Sequence, residues 1–149
     1  MAMATFYIVQ QDTPQAEQLG FEDYVLFLTR HFAHQGAKVY LQCHDKDQAE
    51  HYAERFWQTE PHDFIAHNLV GEGPKYGTHI EIGHQKVKPS YHRQLIINLA
   101  DNQTTFAQNF AEVIDFVPCE ENAKQRARER YKLYRQAGYQ LQTIEIQYP

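Results

Sequence analysis

Serine, cysteine and long apolar runs are scarce in this sequence, and each scarcity argues against a class of protein. Ser90 is the only serine, and it stands in "KPSYH" rather than in the Gly-x-Ser-x-Gly turn of a serine hydrolase. Cys43 and Cys119 are too few for a disulfide framework, so we expect reduced thiols. No apolar run approaches the ~20 residues of a membrane-spanning helix, and the start of the chain lacks a signal-peptide pattern. The sequence predicts a soluble cytoplasmic protein.

Aromatic and aliphatic residues are plentiful in spite of these gaps. The chain has 149 residues, of which 42% are hydrophobic, with ten tyrosines and nine phenylalanines. A disordered chain carries fewer aromatic residues than this. A chain of this size buries about 70% of its unfolded surface in a single core. We therefore predict one domain over residues 1–149.

Strand-like runs and helical spacing alternate along the chain. A helix is predicted over residues 15–35, with Gly36 where a left-handed C-cap belongs. A second helix is predicted from a cap at Asp45 or Asp47 to Trp57. The predicted strands cover residues 4–9, 38–43, 64–69, 78–83, 94–100, 114–117 and 141–147. The other two predicted helices are a short one marked by Phe106, Phe110 and Val113 and a basic one that ends near Gly138.

This alternation predicts a three-layer α/β fold with a mostly parallel central sheet and helices on both faces. Ligands of such Rossmann-like folds sit at the carboxyl ends of the strands, so a nucleotide enzyme is considered first. The glycines of "GEGPKYG", residues 71–77, do not form a Walker loop, because Tyr76 follows Lys75 where Ser or Thr is needed. No glycine follows the first strand either. We predict a Rossmann-like fold without a nucleotide-binding loop.

Residue patterns for catalysis or metal binding are also missing. The chain has nine histidines, but His31 and His34 have no third ligand at helical spacing. Glu120 and Glu121 open a predicted helix, where the helix dipole favours carboxylates, so capping explains them. We expect no enzyme activity, no cofactor and no metal.

The stretch "KQRARERYKLYRQAGY", residues 124–139, places six cationic side chains in a chain whose formal net charge is −5. On a helical wheel at ~100° per residue, five of the residues in this stretch fall on one side of the predicted helix and form a stripe. The stripe contains Lys124, Arg128, Tyr131, Lys132 and Arg135. Ala123, Ala127, Tyr134 and Ala137 form a face suited to packing on the sheet, whereas Arg126 and Arg130 are expected to leave from the other edge.

Three interpretations of this stripe stay open at this point: a solvated helix face, a surface for nucleic acid, and a site for an acidic peptide. The negative net charge disfavours nucleic acid, since nucleic-acid-binding domains are usually basic. Exposed ion pairs contribute only ~0–1 kcal/mol each, so a peptide site also needs an apolar anchor. Val117, Pro118 and Tyr131 are placed to form such an anchor pocket, worth about 1.5–3 kcal/mol per buried side chain.

Four stretches resemble a known family, the χ (chi) subunit of the bacterial DNA polymerase III holoenzyme, which is part of the clamp-loader complex. They are "ATFY" at 4–7, "FIAHNLVGEGP" at 64–74, "EVIDFVP" at 112–118 and the basic stretch at 124–139. The resemblance implies a non-catalytic adaptor in DNA replication. Such an adaptor binds the ψ (psi) subunit of the clamp loader and the acidic C-terminal tail of single-stranded DNA-binding protein, and so meets nucleic acid only indirectly.

The resemblance also implies site residues. The tail site would consist of Val117, Arg128, Tyr131 and Lys132, with Lys124 at its rim, which coincides with the stripe found from the wheel. The ψ surface would contain Trp57 and Phe64, with Trp57 facing outward because Phe56 takes the inward position. The resemblance also implies an accessory helicase as a further partner, bound through the same aromatic surface. A direct nucleic-acid-binding domain, or a helicase partner in DNA repair, is the alternative function.

Overall fold

The structure, a computed structural model, describes residues 2–58, 66–70, 78–84, 94–100 and 110–147. The strands are β1 (Met3–Ile8), β2 (Val39–Cys43), β3 (His67–Leu69), β4 (Ile80–His84), β5 (Leu95–Asn98), β6 (Glu112–Val117) and β7 (Gln140–Glu145). The helices are α1 (Gln18–His34), α2 (Lys46–Trp57) and α3 (Glu121–Gln136), with a 3-10 turn at Pro14–Ala16.

All seven strands belong to one parallel sheet with the order β3-β4-β2-β5-β6-β1-β7. Parallel neighbours need crossover connections, which α1, α2 and α3 provide in the described parts of the chain. The central strand β5 is buried on both faces, as its apolar sequence predicts. The predicted α/β fold with a parallel sheet is confirmed.

The two faces of the sheet carry separate apolar cores. Alternate side chains such as Leu41, Ile97 and Phe116 pack with α1 and α2. The intervening side chains, among them Phe6 and Val113, pack with Tyr134 of α3 on the opposite face. Helices therefore cover both faces, and the three-layer prediction is confirmed. No helix of the described ranges is long and apolar enough to cross a membrane.

The predicted boundaries of α1 and α2 hold closely. The helix predicted over residues 15–35 begins later, at Gln18, because the chain first makes the 3-10 turn. Gly36 adopts a positive φ of 95°, the conformation that ends a helix and that favours glycine. Asp45 caps α2, and its carboxylate accepts from the Gln48 backbone N–H at 2.8 Å.

The short helix predicted around Phe106, Phe110 and Val113 is wrong at its described end. Phe110 lies in a bend, and Val113 belongs to β6, where it pairs with Ala4 of β1. Spacing of three to four residues had suggested a helix, but the burial of Val113 comes from strand alternation. Phe106 lies outside the described residues.

Three of the predicted strands are shorter in the structure, whereas β6 begins at Glu112, two residues before the predicted start at residue 114. The strand expected at 64–69 is described only from residue 66, and β3 covers His67–Leu69. β4 begins at Ile80 rather than at residue 78, and β5 ends at Asn98 rather than at residue 100. The terminal strand is confirmed as β7.

One buried ion pair joins α3 to the sheet. Arg130 Nε and Nη2 donate to the two carboxylate oxygens of Asp115 at 2.8 and 2.9 Å. The same carboxylate accepts from the Tyr134 hydroxyl at 2.9 Å and from the Asn98 amide at 3.2 Å. Asp115 and Arg130 are almost completely buried. Because water does not solvate their charges, each charge is stabilised only by the groups that pair with it or hydrogen-bond to it.

This cluster makes a prediction for stability. Arg130→Met should lower the free energy of unfolding by about 3–5 kcal/mol, because it leaves the Asp115 carboxylate buried without its cation. Arg128→Met is the matched control, since it removes an exposed arginine from the same helix and should change stability by about 0.5 kcal/mol or less. Urea unfolding of both variants provides the measurement. Equal effects of the two substitutions would show that the buried pair does not hold α3 in place.

Candidate functional site

Helix α3 presents two faces of different chemistry. Ala127, Arg130 and Tyr134 are buried against the sheet, whereas Arg128, Lys132 and Arg135 are exposed. The prediction that Arg130 leaves from the outer edge of the helix is therefore wrong. On the wheel Arg130 falls within the sheet-facing arc, and the Asp115 carboxylate on β6 supplies the partner that its burial requires. Ala137 was also misplaced, since it is an exposed C-cap.

A groove with a volume of about 360 Å³ lies between α3 and the strands β1 and β7. We call it the α3–β7 groove. Its lining residues are Phe6, Val117, Gln125, Ala127, Arg128, Tyr131, Lys132, Arg135 and Thr143.

The base of the α3–β7 groove is apolar. Phe6 of β1 is fully buried, and its ring lies 5.4 Å from the ring of Tyr131, centroid to centroid. Val117 at the end of β6 is half-buried and packs on the same core. Tyr131 is also half-buried, so part of its ring faces the groove. A single aromatic or aliphatic side chain of a partner fits a cavity of this size and character.

The rim of the groove is cationic. Arg128, Lys132 and Arg135 line it, and no acidic side chain of the described residues does. The guanidinium of Arg135 lies 5.3 Å from the centroid of the Tyr131 ring, where the π-face attracts a cation. Arg128 Nη1 contacts Gln125 Oε1 at 3.4 Å, a long hydrogen bond that a carboxylate can replace.

The structure brings together four of the five residues predicted for this site. Val117, Arg128, Tyr131 and Lys132 all line the groove. Lys124 does not line it, and its ammonium lies 3.8 Å from the Glu121 carboxylate one turn earlier in α3. Its place at the rim of the tail site stays a prediction.

Sequence reasoning missed the residues that the strands contribute. Phe6 and Thr143 sit opposite each other in the pairing of β1 with β7, and both face α3. Neither residue carries a local signal, because helical spacing describes α3 alone. A wheel therefore identified one wall of the groove and could not identify its base.

A larger cavity, of about 580 Å³, lies at the carboxyl ends of the strands, where an α/β enzyme would bind its nucleotide. Three carboxylate side chains, Glu17, Asp115 and Glu120, are among its lining residues. The Glu120 carboxylate already accepts from the backbone N–H groups of Asn122 and Ala123 at 3.0 and 2.7 Å. Because these are the groups that hold a phosphate at a helix N-terminus, the arrangement disfavours a nucleotide at α3.

A second candidate surface lies at the end of α2. Phe56 is buried, whereas Trp57 is 65% exposed, as expected for the pair from the inward place of Phe56 together with the family resemblance. The Trp57 ring packs edge-on against His67 of β3, with ring centroids 5.2 Å apart. An exposed tryptophan that is held in one orientation is typical of a protein interface. Phe64, predicted to share this surface, lies outside the described residues.

A polar cluster joins α2 to α1 beside this surface. Glu22 of α1 accepts from Arg55 Nη1 at 2.7 Å and contacts His51 Nε2 at 2.8 Å. Arg55 also pairs with Asp23, and Gln18 donates to Glu22 at 3.2 Å. Burial acts to raise the pKa of Glu22, but the hydrogen bonds from His51, Gln18 and Arg55 outweigh burial and hold the pKa below its ordinary value.

The described residues contain no group of three His, Cys, Asp or Glu side chains that could hold a metal ion. Cys43 and Cys119 are free thiols, as predicted. Burial raises the pKa of the Cys43 thiol, which makes it a poor nucleophile.

The fold and the groove thus define a three-layer α/β protein with a cationic groove that has an apolar base. Comparison with known proteins identifies the particular family. The family model described as DNA polymerase III chi subunit, HolC, matches residues 1–142. The chain belongs to the DNA polymerase III chi subunit family.

Relatives of this chain agree over nearly their whole length. DNA polymerase III subunit chi of Escherichia coli (strain K12) is 39% identical over 143 residues, which cover 96% of this chain and 97% of that protein. The subunit chi of Haemophilus influenzae (strain ATCC 51907 / DSM 11121 / KW20 / Rd) is 37% identical over 143 residues, 96% of each chain. Membership in this family of accessory subunits confirms the prediction that the chain is not itself an enzyme and supports a role in DNA replication.

A solved structure confirms the fold class alone. The crystal structure of T4 UvsW matches with a TM-score of 0.65 at 8% sequence identity. The match covers 97% of this chain but 41% of that one, so this chain spans less than half the length of UvsW.

The Glu22 cluster makes a pH-dependent prediction. Because the folded-state pKa of Glu22 lies below its ordinary value of 4.5, its contribution to stability is present above that pH and is lost as the pH falls through the folded value. Glu22→Gln should therefore lower the free energy of unfolding by about 1–3 kcal/mol at neutral pH. The difference between variant and wild type should shrink on acidification, which urea unfolding at several pH values measures.

The matched control for this experiment is Glu50→Gln, which changes an exposed carboxylate of α2. Its effect on the unfolding free energy should stay within about 0.5 kcal/mol at every pH. A difference for Glu22→Gln that is independent of pH would contradict the assigned role of the carboxylate.

Proposed function

We propose that this chain is a non-catalytic adaptor of the bacterial DNA polymerase III holoenzyme. In this proposal it bridges the clamp loader, through the ψ subunit, to single-stranded DNA-binding protein, whose acidic C-terminal tail it binds. It acts in the cytoplasm at replication forks and meets nucleic acid only through its partners. The observation that carries the proposal is the α3–β7 groove, in which three cations surround an apolar base.

The groove suits the chemistry of an acidic chain end that terminates in phenylalanine. The phenylalanine ring fits the space above Phe6, between Val117 and Tyr131. Its burial contributes about 1.5–3 kcal/mol. Arg128 faces the same space and can donate two parallel hydrogen bonds to the terminal carboxylate. Lys132 and Arg135 attract the preceding aspartates and steer the approach of the tail.

The groove fits this occupant better than it fits a nucleic acid strand. Its cations cluster around one cavity, whereas the whole chain carries a formal net charge of −5. A strand of DNA would extend beyond the cavity and meet this negative charge, which opposes phosphate binding. An acidic peptide can place its few charges at the rim alone.

For ψ we propose the surface around Trp57, at the end of α2. This tryptophan projects from the face of the sheet that α1 and α2 cover, while the α3–β7 groove lies under α3 on the other face. Two partners bound at these places do not compete for the same side chains. This separation is what a bridging protein requires.

The tail site is tested by titrating the purified chain with a peptide that ends in Asp-Asp-Ile-Pro-Phe. Arg128→Ala should weaken binding about 10- to 100-fold, because a hydrogen bond to a charged group contributes about 1.5–3 kcal/mol. Isothermal titration calorimetry at fixed salt provides the dissociation constants. An affinity within about twofold of the wild-type value would show that the assigned site is wrong.

Lys46→Ala is the charge-matched control, since Lys46 lies on α2 and is exposed. It should leave the peptide affinity unchanged. Single-stranded DNA is titrated in parallel. Tight DNA binding that is lost steeply with rising salt would favour the direct nucleic-acid binder instead.

The ψ surface is tested by co-purification with the ψ subunit. Trp57→Ala should abolish the complex and leave the melting temperature nearly unchanged, because the indole is 65% exposed. Leu19→Ala is the control, since Leu19 is an equally exposed apolar residue, on α1. A large fall in melting temperature for Trp57→Ala would show that the indole supports the core. Retention of the complex would exclude Trp57 from the interface.

A further inference from the structure

Strand β7 ends the sheet beside the α3–β7 groove. It pairs with β1 and is the last strand in the order of the described sheet. Its residues 142–145 are exposed. An edge strand presents a row of backbone N–H and C=O groups that another chain can pair with.

The backbone groups that face this open edge can be assigned from the bonds to β1. Gln140 N–H donates to Ala2 C=O at 2.9 Å, and Ile146 N–H donates to Ile8 C=O at 3.0 Å. Along a strand the bonding direction alternates with every residue, so the even-numbered residues between them also bond to β1. The N–H and C=O groups of Leu141, Thr143 and Glu145 therefore point away from the sheet.

The residues with outward backbone groups also face the groove. Thr143 lines the groove, and Leu141 packs with the core under α3. A strand paired to this edge would direct alternate side chains to the same face, where Arg128, Lys132 and Arg135 lie. Its other side chains would lie beside Ile144, an apolar residue that is 41% exposed on the opposite face.

This edge carries few of the features that block strand pairing. Residues 140–145 contain no proline and no lysine. Glu145 is the one charged residue of the strand, and its carboxylate accepts from the Gln10 side chain at 3.0 Å. Among the described residues no strand pairs with this edge, which lies beside a cationic rim, and a strand that carries negative charges complements it.

We propose that an acidic peptide ending in an aromatic residue binds here by strand addition. Its terminal side chain enters the α3–β7 groove, and the preceding residues pair with the outward backbone groups of Thr143 and Glu145 as an eighth strand. This inference rests on the proposed function, and it adds that backbone pairing holds the peptide together with the anchor and the charges.

An N-methyl scan of the peptide tests the pairing. Methylation of one backbone nitrogen at a time, at the two aspartates and the isoleucine of Asp-Asp-Ile-Pro-Phe, removes one N–H and leaves every side chain in place. Strand addition predicts an alternating pattern, with a loss of about tenfold at nitrogens that face β7 and a change within about twofold at those that face solvent.

Amide hydrogen exchange of the protein is the second measurement. On binding of the unmethylated peptide, the amides of Thr143 and Glu145 should exchange at least about tenfold more slowly. The amides of Gln142 and Ile144 already bond to β1 and should change little. They are internal controls within the same strand.

The outcomes separate this inference from the proposed function. Suppose that the peptide binds and that Arg128→Ala lowers its affinity, but that N-methylation gives no alternating pattern and the exchange rates of the Thr143 and Glu145 amides are unchanged. In that case strand addition is wrong and the tail site stands. If the peptide does not bind at all, the proposed function and this inference fall together. An alternating scan with slowed exchange at the two outward amides supports both.

Discussion

The buried pair between Arg130 and Asp115 is the interaction on which the groove depends. A carboxylate and a guanidinium, both almost completely buried, stabilise the fold only while each satisfies the other. Tyr134 and Asn98 complete the shell of donors around Asp115, and burial together with this carboxylate raises the pKa of the Tyr134 hydroxyl. The pair fixes the rotation of α3 about its axis. The rotation in turn determines which cations of the helix face the groove and which one faces the core.

The groove places cationic side chains around an apolar base in a chain whose net charge is negative. Its three cations lie around one cavity, and the described side chains that line the cavity include no carboxylate. Charges at an exposed rim steer and orient a partner more than they hold it, so in the proposed complex the apolar base under Tyr131 supplies the larger part of the affinity. For the peptide proposed above, a single small anchor predicts binding of moderate strength.

Patterns within single elements could be interpreted from the sequence, and patterns between elements could not. The inward position of Phe56 followed from helical spacing, as did the stripe that contains Arg128 and Lys132. The outward position of Trp57 was expected only with the family resemblance, because an aromatic residue at a helix end is most often part of the core. Val113 was assigned to a helix because its spacing from Phe110 suits one, although the strand partner Ala4 decides its state. Arg130 was expected to leave from the outer edge of α3, although its position on the wheel lies within the sheet-facing arc. A buried counter-charge in another element is invisible to any local pattern.

The sequence by itself determined the fold class, the main helices and the cationic stripe of α3, because side-chain periodicity is a local property of the chain. The tertiary structure alone decided that Phe6 and Thr143, near opposite ends of the sequence, become the base and far wall of one groove. That meeting depends on the order of strands β6, β1 and β7 in the sheet, which is set by long-range pairing and packing. It also leaves β7 at the edge of the described sheet, so the same non-local pairing produces both the groove and the edge strand beside it.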